Sequence, residues 1–223
     1  VSRDVMDVAR DPEVDVLVEL IGGTGVAHDL IKLAIERGKH IVTANKALIA
    51  EHGNELFAFA EAAGVQLGFE ASVAGGIPII KALRESMAAN TVKQVAGIIN
   101  GTGNFILTEM SSKGRAFDDV LSEAQVLGYA EADPTFDIDG TDAAHKLVIL
   151  ASLAFGIPLN IDGPVKKGID IVTSTDLNYA AELGYRVKHL GIARQRENGV
   201  ELRVHPTLIP EQKQLASVDG VLN

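Results

Sequence analysis

The sequence predicts an α/β fold in which a partial parallel sheet is followed by a mixed α+β region. Short runs rich in Val and Ile alternate with segments of helical periodicity over residues 14–70. Beyond residue 70 the rhythm changes, and strand-like runs at residues 189–196 and 200–208 are joined by an Asn-Gly turn, a strong hairpin signal. We therefore expect two domains, residues 1–70 and residues 71–223.

The first domain shows the alternation typical of half a doubly wound sheet. Residues 14–21 form a nearly continuous apolar run, which predicts a parallel strand buried on both faces. A helix, a strand, a second helix and a third strand are expected to follow it. Their predicted ranges are residues 26–37, 40–44, 46–63 and 65–70, with the second helix broken or kinked near Gly53.

The second domain begins with a loop of small residues and then mixes helices with strands. Residues 91–100 predict a strand, and Gly101-Thr102-Gly103 is interpreted as its end. The overlapping Asn100-Gly101-Thr102 is formally a glycosylation sequon, which we interpret as a turn. Helices are predicted at residues 79–89, 104–113, 117–127, 141–155 and 176–188.

The composition excludes several classes of protein. The formal net charge of −10 argues against nucleic acid as a partner, because phosphate binding needs a basic surface. Zero cysteines exclude disulfides, thiolate metal sites and thiol nucleophiles, and fit a cytoplasmic location. No segment approaches the roughly 18 apolar residues that span a bilayer, so no membrane partner is expected.

Two candidate ligand-binding features follow the predicted parallel strands. The loop Gly22-Gly23-Thr24-Gly25 lies between a strand and a helix, where free amides can bind an anion, although its spacing matches neither dinucleotide nor P-loop patterns. The alternative is a tight turn without a ligand. Lys46 lies where the next strand gives way to a helix, in the crevice where such sheets bind ligands. The alternative for Lys46 is a solvated surface residue.

An acidic loop, residues 128–140, leads into a strongly apolar helix. A calcium loop is excluded, because its last position would be Lys146 where a glutamate is required. Asp142 and Lys146 are four residues apart and share a helix face, which favours an ordinary ion pair. The rest of the helix is apolar, however, and a charged pair on a buried helix indicates a functional site. His145 is interpreted as a core or surface histidine.

Four segments together resemble the homoserine dehydrogenase family. They are residues 43–50 (TANKALIA), 70–80 (EASVAGGIPII), 99–110 (INGTGNFILTEM) and 127–151 (LGYAEADPTFDIDGTDAAHKLVILA), in order and at similar spacing. The resemblance covers nearly the whole chain, and the last segment is the most specific. It implies a Rossmann-like cofactor domain and a catalytic and dimerisation domain.

The resemblance also implies an activity and a set of site residues. The family interconverts L-homoserine and L-aspartate 4-semialdehyde with NADP or NAD, in threonine and methionine biosynthesis, and forms homodimers. Lys146 matches the proposed proton donor, Glu131 and Asp142 match acidic residues of the substrate site, and Lys46 matches a lysine near cofactor and substrate. Gly22 and Gly23 are assigned to cofactor binding. The matches for a sodium site, mostly through carbonyl oxygens, are Glu70, Val73, Gly75 and Ile77.

The chain departs from the family pattern at its ends. It opens at Val1, and the glycine-rich strand-to-helix turn with which these enzymes begin is absent from it. We therefore expect a central fragment of a longer protein. An acylating semialdehyde dehydrogenase is excluded, because it needs a cysteine nucleophile. A module that only binds an amino acid or dimerises, and a cation-binding structural protein, remain as alternatives.

Overall fold

A computed structural model describes residues 2–222 of the chain, which form two compact units. The first unit comprises Val1–Val92 and Val148–Asp162, and the second comprises Lys93–Leu147 and Gly163–Asn223. The α/β fold class is therefore confirmed. The domain division at residue 70 stays a prediction, and residues 71–92 and 148–162 group with the first unit by compactness.

The first unit contains a parallel three-stranded sheet in the order β1-β2-β3. Leu17 and Glu19 of the first strand are buried, whereas Val16 and Val18 are 48% and 60% exposed. The prediction that this strand is buried on both faces is thus wrong. Within residues 2–222, only the face of β1 that carries Leu17 and Glu19 is covered. The elements are α1 (Val5–Arg10), β1 (Val16–Glu19), α2 (Val26–Glu36), β2 (His40–Thr43), α3 (Lys46–Ala63), β3 (Leu67–Gly68) and α4 (Ile79–Lys81).

Helix α3 is continuous, so the predicted break near Gly53 is wrong. Gly53 is buried, and a Cβ atom there would lie 2.5 Å from Leu159 Cδ1. The glycine therefore permits close packing within the first unit rather than a kink. Gly64 ends the helix in the left-handed conformation with φ of 69°, as glycine commonly does.

The third strand and the helix after it are shorter than predicted. The strand contains only Leu67–Gly68, and a 3₁₀ turn follows at Glu70–Ser72. Helix α4 covers Ile79–Lys81 and widens into a π-helical turn at Ala82–Ser86. The carboxylate of Glu70 accepts hydrogen bonds from the first amides of this segment, so a long-range contact fixes where it begins.

The second unit contains a four-stranded sheet in the order β4-β6-β7-β5. The predicted hairpin is confirmed, since β6 and β7 pair antiparallel from Tyr185 opposite Pro210 to Arg196 opposite Gly199. The short β5, which was not predicted, pairs parallel with β7. The elements are β4 (Gln94–Gly97), α5 (Gly101–Lys113), α6 (Phe117–Val126), α7 (Thr135–Ile138), α8 (Thr141–Phe155), β5 (Val165–Lys166), α9 (Ser174–Glu182), β6 (Tyr185–Arg196) and β7 (Gly199–Pro210).

Several predicted boundaries in this unit are wrong, and the strand predicted at residues 91–100 covers only Gln94–Gly97. Helix α9 ends at Glu182, and Gly184 with φ of 77° makes the turn into β6, which begins at Tyr185 where the helix was expected to continue to residue 188. Helix α5 begins at Gly101, so Gly101-Thr102-Gly103 forms its first turn instead of a loop. In both places a turn or cap overrides the periodicity on which the prediction rested.

The core of the second unit lies between α5, α6 and α9. A cluster of buried apolar side chains joins these three helices. The buried members of the cluster are Ile106, Leu107, Met110, Val120, Ile169, Val172 and Leu177.

No helix in residues 2–222 combines the length and apolar character needed to cross a membrane.

His189 gives the second unit a pH-dependent stability. Burial lowers the pKa of its imidazole, and Nε2 donates to the Lys167 carbonyl at 2.9 Å. The unfolded chain therefore takes up a proton near pH 6.5 that the folded chain resists, and stability falls as the pH drops from that value toward the folded pKa. We expect the free energy of unfolding to fall less on acidification in His189→Gln, measured by urea denaturation at several pH values. Equal losses in both proteins would contradict this assignment.

Candidate functional site

The centre of the candidate site is an ion pair on α8. Lys146 Nζ donates to Asp142 Oδ2 at 2.7 Å and to the Ile99 carbonyl at 3.0 Å. The side chain of Asp142 is 9% exposed and that of Lys146 is 21% exposed. The prediction that the two residues pair on a buried helix is confirmed. Two acceptors hold the ammonium group in one place, while about a fifth of the Lys146 side chain stays exposed.

Asn100 connects this pair to the acidic loop. Its Oδ1 accepts from the Gly103 amide at 2.6 Å and so caps α5. Its Nδ2 donates to Asp137 Oδ1 at 2.7 Å and to Asp142 Oδ2 at 2.9 Å. The interpretation of Asn100 as an ordinary turn residue is therefore wrong. One buried amide holds two carboxylates in fixed positions beside Lys146.

The remaining acid of the loop, Glu131, lies on the surface between α6 and α7. Its carbonyl accepts from Gln125 Nε2 at 3.1 Å, and the residue is exposed. No ion pair joins Glu131 to Lys146 within the part of the chain that the structure describes. The structure thus brings together Lys146, Asp142 and Asn100, and leaves the carboxylate of Glu131 at the solvent.

His145 lies on the same helix and is 8% exposed. Of the two predicted alternatives, it is therefore a core histidine and not a surface one. The start of α8 is fixed by Asp139, whose carboxylate accepts from the Thr141 amide and hydroxyl, each at 2.8 Å. Gly140 precedes the helix with φ of 86°, and a Cβ there would lie 3.0 Å from Val204. Sheet contacts therefore position the first turn of the helix that carries Asp142.

A second cluster lies in the first unit, at the carboxyl ends of β1 and β2. Glu19 is 1% exposed and accepts from the amides of Ile21 at 2.7 Å and Gly22 at 3.0 Å. It also accepts from Thr43 Oγ1 at 2.6 Å. The prediction of free amides in the glycine loop is therefore wrong at Gly22, whose amide is bonded to Glu19. A buried carboxylate fixes the loop to the neighbouring strand.

Asn45 completes this cluster and sets the position of Lys46. Its Oδ1 caps α3 by accepting from the Leu48 amide at 3.1 Å, and its Nδ2 donates to the Gly23 carbonyl at 2.7 Å. Lys46 is the first residue of α3. The predicted placement of Lys46 between a parallel strand and a helix is confirmed, and the glycine loop is tied to the same junction.

We expect Glu19→Gln to loosen the glycine loop. Gln retains one acceptor but cannot match a carboxylate that accepts three hydrogen bonds, so we expect a loss of about 1–3 kcal/mol in the free energy of unfolding. Urea denaturation measures this loss. Glu36→Gln, on the exposed end of α2, is the matched control, and equal behaviour of both variants would contradict this role.

The loop of small residues after β3 carries the predicted cation ligands. Glu70 Oε1 and Oε2 accept from the amides of Ile80 and Lys81, each at 2.9 Å. The Ile77 carbonyl accepts from the Ile79 amide at 2.8 Å. No main-chain amide in residues 2–222 donates to the carbonyls of Val73 or Gly75. Carbonyl oxygens without amide partners are suitable ligands for a hard cation, so the loop fits one.

Two protein-family models match this chain, one over each of two consecutive parts of the sequence. The profile described as homoserine dehydrogenase matches residues 78–223. The profile described as homoserine dehydrogenase, NAD binding domain, matches residues 1–70. The chain belongs to the homoserine dehydrogenase family. The resemblance noted in the sequence is thereby confirmed.

Individual homoserine dehydrogenases are similar over the whole chain. That of Pseudomonas aeruginosa is 65% identical over 223 residues, which cover 100% of this chain and 51% of the relative. The crystal structure of one from Thiobacillus denitrificans has a TM-score of 0.97 at 63% identity, covering 99% of this chain and 51% of that one. A hyperthermophilic archaeal homoserine dehydrogenase in complex with NADPH has a TM-score of 0.83 at 30% identity, covering 98% and 63%. The chain thus spans about half the length of the bacterial relatives.

Sequence reasoning missed two residues of this homoserine dehydrogenase chain. Glu19 is the one charged residue near the end of an apolar strand, and that isolation was the available signal. Asn100 stands immediately before a helix, which is the preferred position of a capping asparagine. Both signals are local, but the partners of these side chains come from distant segments.

Proposed function

We propose that this chain carries the substrate-binding and catalytic part of an NAD(P)-dependent oxidoreductase that interconverts L-homoserine and L-aspartate 4-semialdehyde. The step would serve threonine and methionine biosynthesis. Family membership supports the reaction class. The single observation that carries the proposal is the Asp142–Lys146 pair, since a charged pair on an otherwise apolar helix costs desolvation that a catalytic role accounts for.

The reaction needs a proton at the oxygen that becomes an alcohol. A bound nicotinamide supplies the hydride that reduces the aldehyde carbon. As negative charge develops on the carbonyl oxygen, the Lys146 ammonium stabilises it and donates one proton to it. In the reverse direction the Lys146 amine accepts the hydroxyl proton of homoserine. Asp142 and the Ile99 carbonyl keep Nζ in place through both directions.

Glu131 and Asp142 bind the amino group of the substrate in this proposal. An exposed carboxylate on the acidic loop is available to an incoming ammonium, and Glu131 has that placement. Asp142 already holds Lys146 and Asn100, so it orients the site in addition to contributing charge. The carboxylates of Glu131 and Asp142 and the ammonium of Lys146 therefore suit a substrate with an ammonium group at one end and an aldehyde at the other.

The cofactor is NADP or NAD, bound in part by Gly22, Gly23 and Lys46. The two glycines have φ of 82° and 71°, and a Cβ atom at either position would have no neighbour within 4 Å. This open main chain lets a large ligand approach closely, as dinucleotide loops require. Lys46 at the adjacent strand end supplies a cation. The archaeal relative bound to NADPH supports the same class of cofactor here.

A sodium ion would be held by the loop after β3. The carbonyls of Val73 and Gly75 have no amide partner in the described residues, and Glu70 and Ile77 flank them. Ala74 has a positive φ of 53°, which turns the main chain within the loop. These carbonyl oxygens are the donor set that a hard cation prefers. The ion would order the loop without taking part in the proton transfer.

The protein is a homodimer in this proposal, and it works in the cytoplasm, for which a chain without cysteines is suited. Several apolar side chains of the second unit are exposed on α9 and β7, among them Tyr179, Leu183 and Leu208, at 61%, 73% and 57%. Such patches mark association surfaces in proteins. Sedimentation equilibrium tests the dimer, and a monomer at micromolar concentration would contradict it.

The experiment that tests the activity is an assay of L-homoserine oxidation by the complete protein with NADP and with NAD, in sodium buffer. Formation of reduced nicotinamide with homoserine, and none with homoalanine, which lacks the hydroxyl, is the expected result. Homoserine binding without turnover would favour the alternative of an amino-acid-binding or dimerisation module. If the protein neither binds L-homoserine nor oxidises it, the proposed function is overturned.

A further inference from the structure

Three metal-binding side chains converge in the first unit at a place that the proposed reaction does not use. They are His28 of α2 and His52 and Glu55 of α3. One ligand atom from each lies within 4.8 Å of the others. His52 and Glu55 are three residues apart, so they lie on the same face of α3. The consecutive helices α2 and α3 thus present a set of two imidazoles and one carboxylate.

His28 has an unsatisfied polar atom directed at this cluster. Its Nε2 is buried and has no hydrogen-bond partner in residues 2–222. The nearest carboxylate oxygen, Glu55 Oε2, lies 3.6 Å away, which is beyond hydrogen-bond range. The His28 and His52 rings are 4.6 Å apart and tilted by 43°. A buried ring nitrogen without a partner costs about 1–3 kcal/mol, and a bound ion would satisfy it.

We propose that His28, His52 and Glu55 form a binding site for a zinc ion. Imidazole nitrogen and carboxylate oxygen are both ordinary zinc ligands, whereas Mg²⁺ and Ca²⁺ prefer oxygen alone. Two ligands, each at about 2.0–2.2 Å from zinc, lie at most about 4.4 Å apart. The present separations of up to 4.8 Å therefore close with small side-chain rotations. A water molecule fills the fourth position.

The two ligands on α3 have the freedom for that adjustment. The side chain of His52 is 37% exposed and that of Glu55 is 52% exposed, whereas the side chain of His28 is only 17% exposed. The site is thus a partly formed one, with one fixed imidazole and two ligands that move to it. Zinc would clamp α2 to α3 and stabilise the folded first unit, because the unfolded chain does not hold the three ligands together.

Lys32 competes with the ion for Glu55. Its Nζ lies 2.8 Å from Glu55 Oε1, while Oε2 faces His28. The lysine charge repels a divalent cation and draws the carboxylate away from the imidazoles. Removing Lys32 should therefore tighten zinc binding. Zinc held at unrelated surface groups would not respond in this way, which makes Lys32→Met a specific test.

Calorimetric titration of the metal-free protein with zinc chloride tests the proposal. We expect one zinc per chain, and more than about tenfold weaker binding in His52→Gln and in Glu55→Gln, since each removes one of three ligands. Glu61→Gln removes a carboxylate from the exposed end of α3 and is the control, with unchanged binding expected. Lys32→Met should bind zinc more tightly, and any heat from Mg²⁺ should be the same in the wild type and in His52→Gln.

Thermal unfolding provides a second readout that is independent of catalysis. Zinc should raise the melting temperature of the wild type and of Glu61→Gln, but leave those of His52→Gln and Glu55→Gln unchanged. Gln is a good helix former at these half-exposed positions, so the variants keep the fold. Absence of zinc binding, or equal zinc affinity in the wild type and both ligand variants, would overturn the proposal whatever the enzymatic activity.

Discussion

Replacement of Lys146 by Met is expected to lower kcat for homoserine oxidation by about 10²–10⁴-fold, the range typical of a lost general acid or base. Met fills a similar volume on the apolar α8 but has no acidic proton to donate. The KM for NADP should change little, because Lys146 acts on the substrate oxygen in this proposal, whereas the residues assigned to the cofactor are Gly22, Gly23 and Lys46. Steady-state kinetics of the complete protein measure both quantities.

Two further variants separate proton transfer from simple charge. Lys146→Arg keeps a cation that can pair with Asp142, but a guanidinium is a poor proton donor because its pKa lies far above the working pH. We therefore expect Arg to preserve folding without restoring turnover. Lys113→Met removes an exposed lysine of α5 that pairs with Glu109 and should behave as wild type. Turnover of Lys146→Met within about twofold of wild type would contradict the catalytic role.

Replacement of Asp142 by Ala is expected to destabilise the protein by about 2–3 kcal/mol, somewhat less than for a fully buried pair. The carboxylate accepts from both Lys146 and Asn100, so its loss leaves a largely enclosed ammonium with only the Ile99 carbonyl. Urea denaturation gives the change in the free energy of unfolding. Asp118→Ala, on the exposed face of α6, should have a small effect.

A double-mutant cycle isolates the energy of the pair. If Asp142 and Lys146 are coupled, the variant with Asp142→Ala and Lys146→Met together should lose less stability than the sum of the single variants. Removing both charges leaves no unpaired cation on the helix. Strict additivity of the two losses would mean that the ion pair does not hold Lys146, and the explanation of its fixed position would fail.

The Asp142–Lys146 ion pair was predictable because its signal lies within one helix. The spacing of Asp142 and Lys146 sets a shared face, and the apolar residues around them indicate burial. The β6–β7 hairpin was predictable for the same reason, since its two strands and turn are adjacent in sequence. Short-range spacing thus carries both the fold class and the core of the candidate site.

The features that were missed depend on contacts between distant segments. Glu19 bonds to Thr43, 24 residues away, and Asn100 bonds to Asp137 and Asp142, 37 and 42 residues away. A glycine within a helical pattern predicts a break at Gly53. Its packing role could not be predicted, because its partner, Leu159, lies far along the chain. Local periodicity carries no information on such partners, so buried polar networks and close-packed glycines appear only with the tertiary structure.

The most direct test of the central claim is calorimetric titration of the protein with L-homoserine, comparing the wild type with Glu131→Gln and with Glu123→Gln as a surface control. The account predicts one homoserine site per chain, affinity reduced by about tenfold or more in Glu131→Gln because the ammonium loses its carboxylate, and unchanged affinity in Glu123→Gln. No binding of homoserine at millimolar concentration, or equal affinity in all three proteins, would contradict the assignment of this acidic loop and α8 as the substrate site.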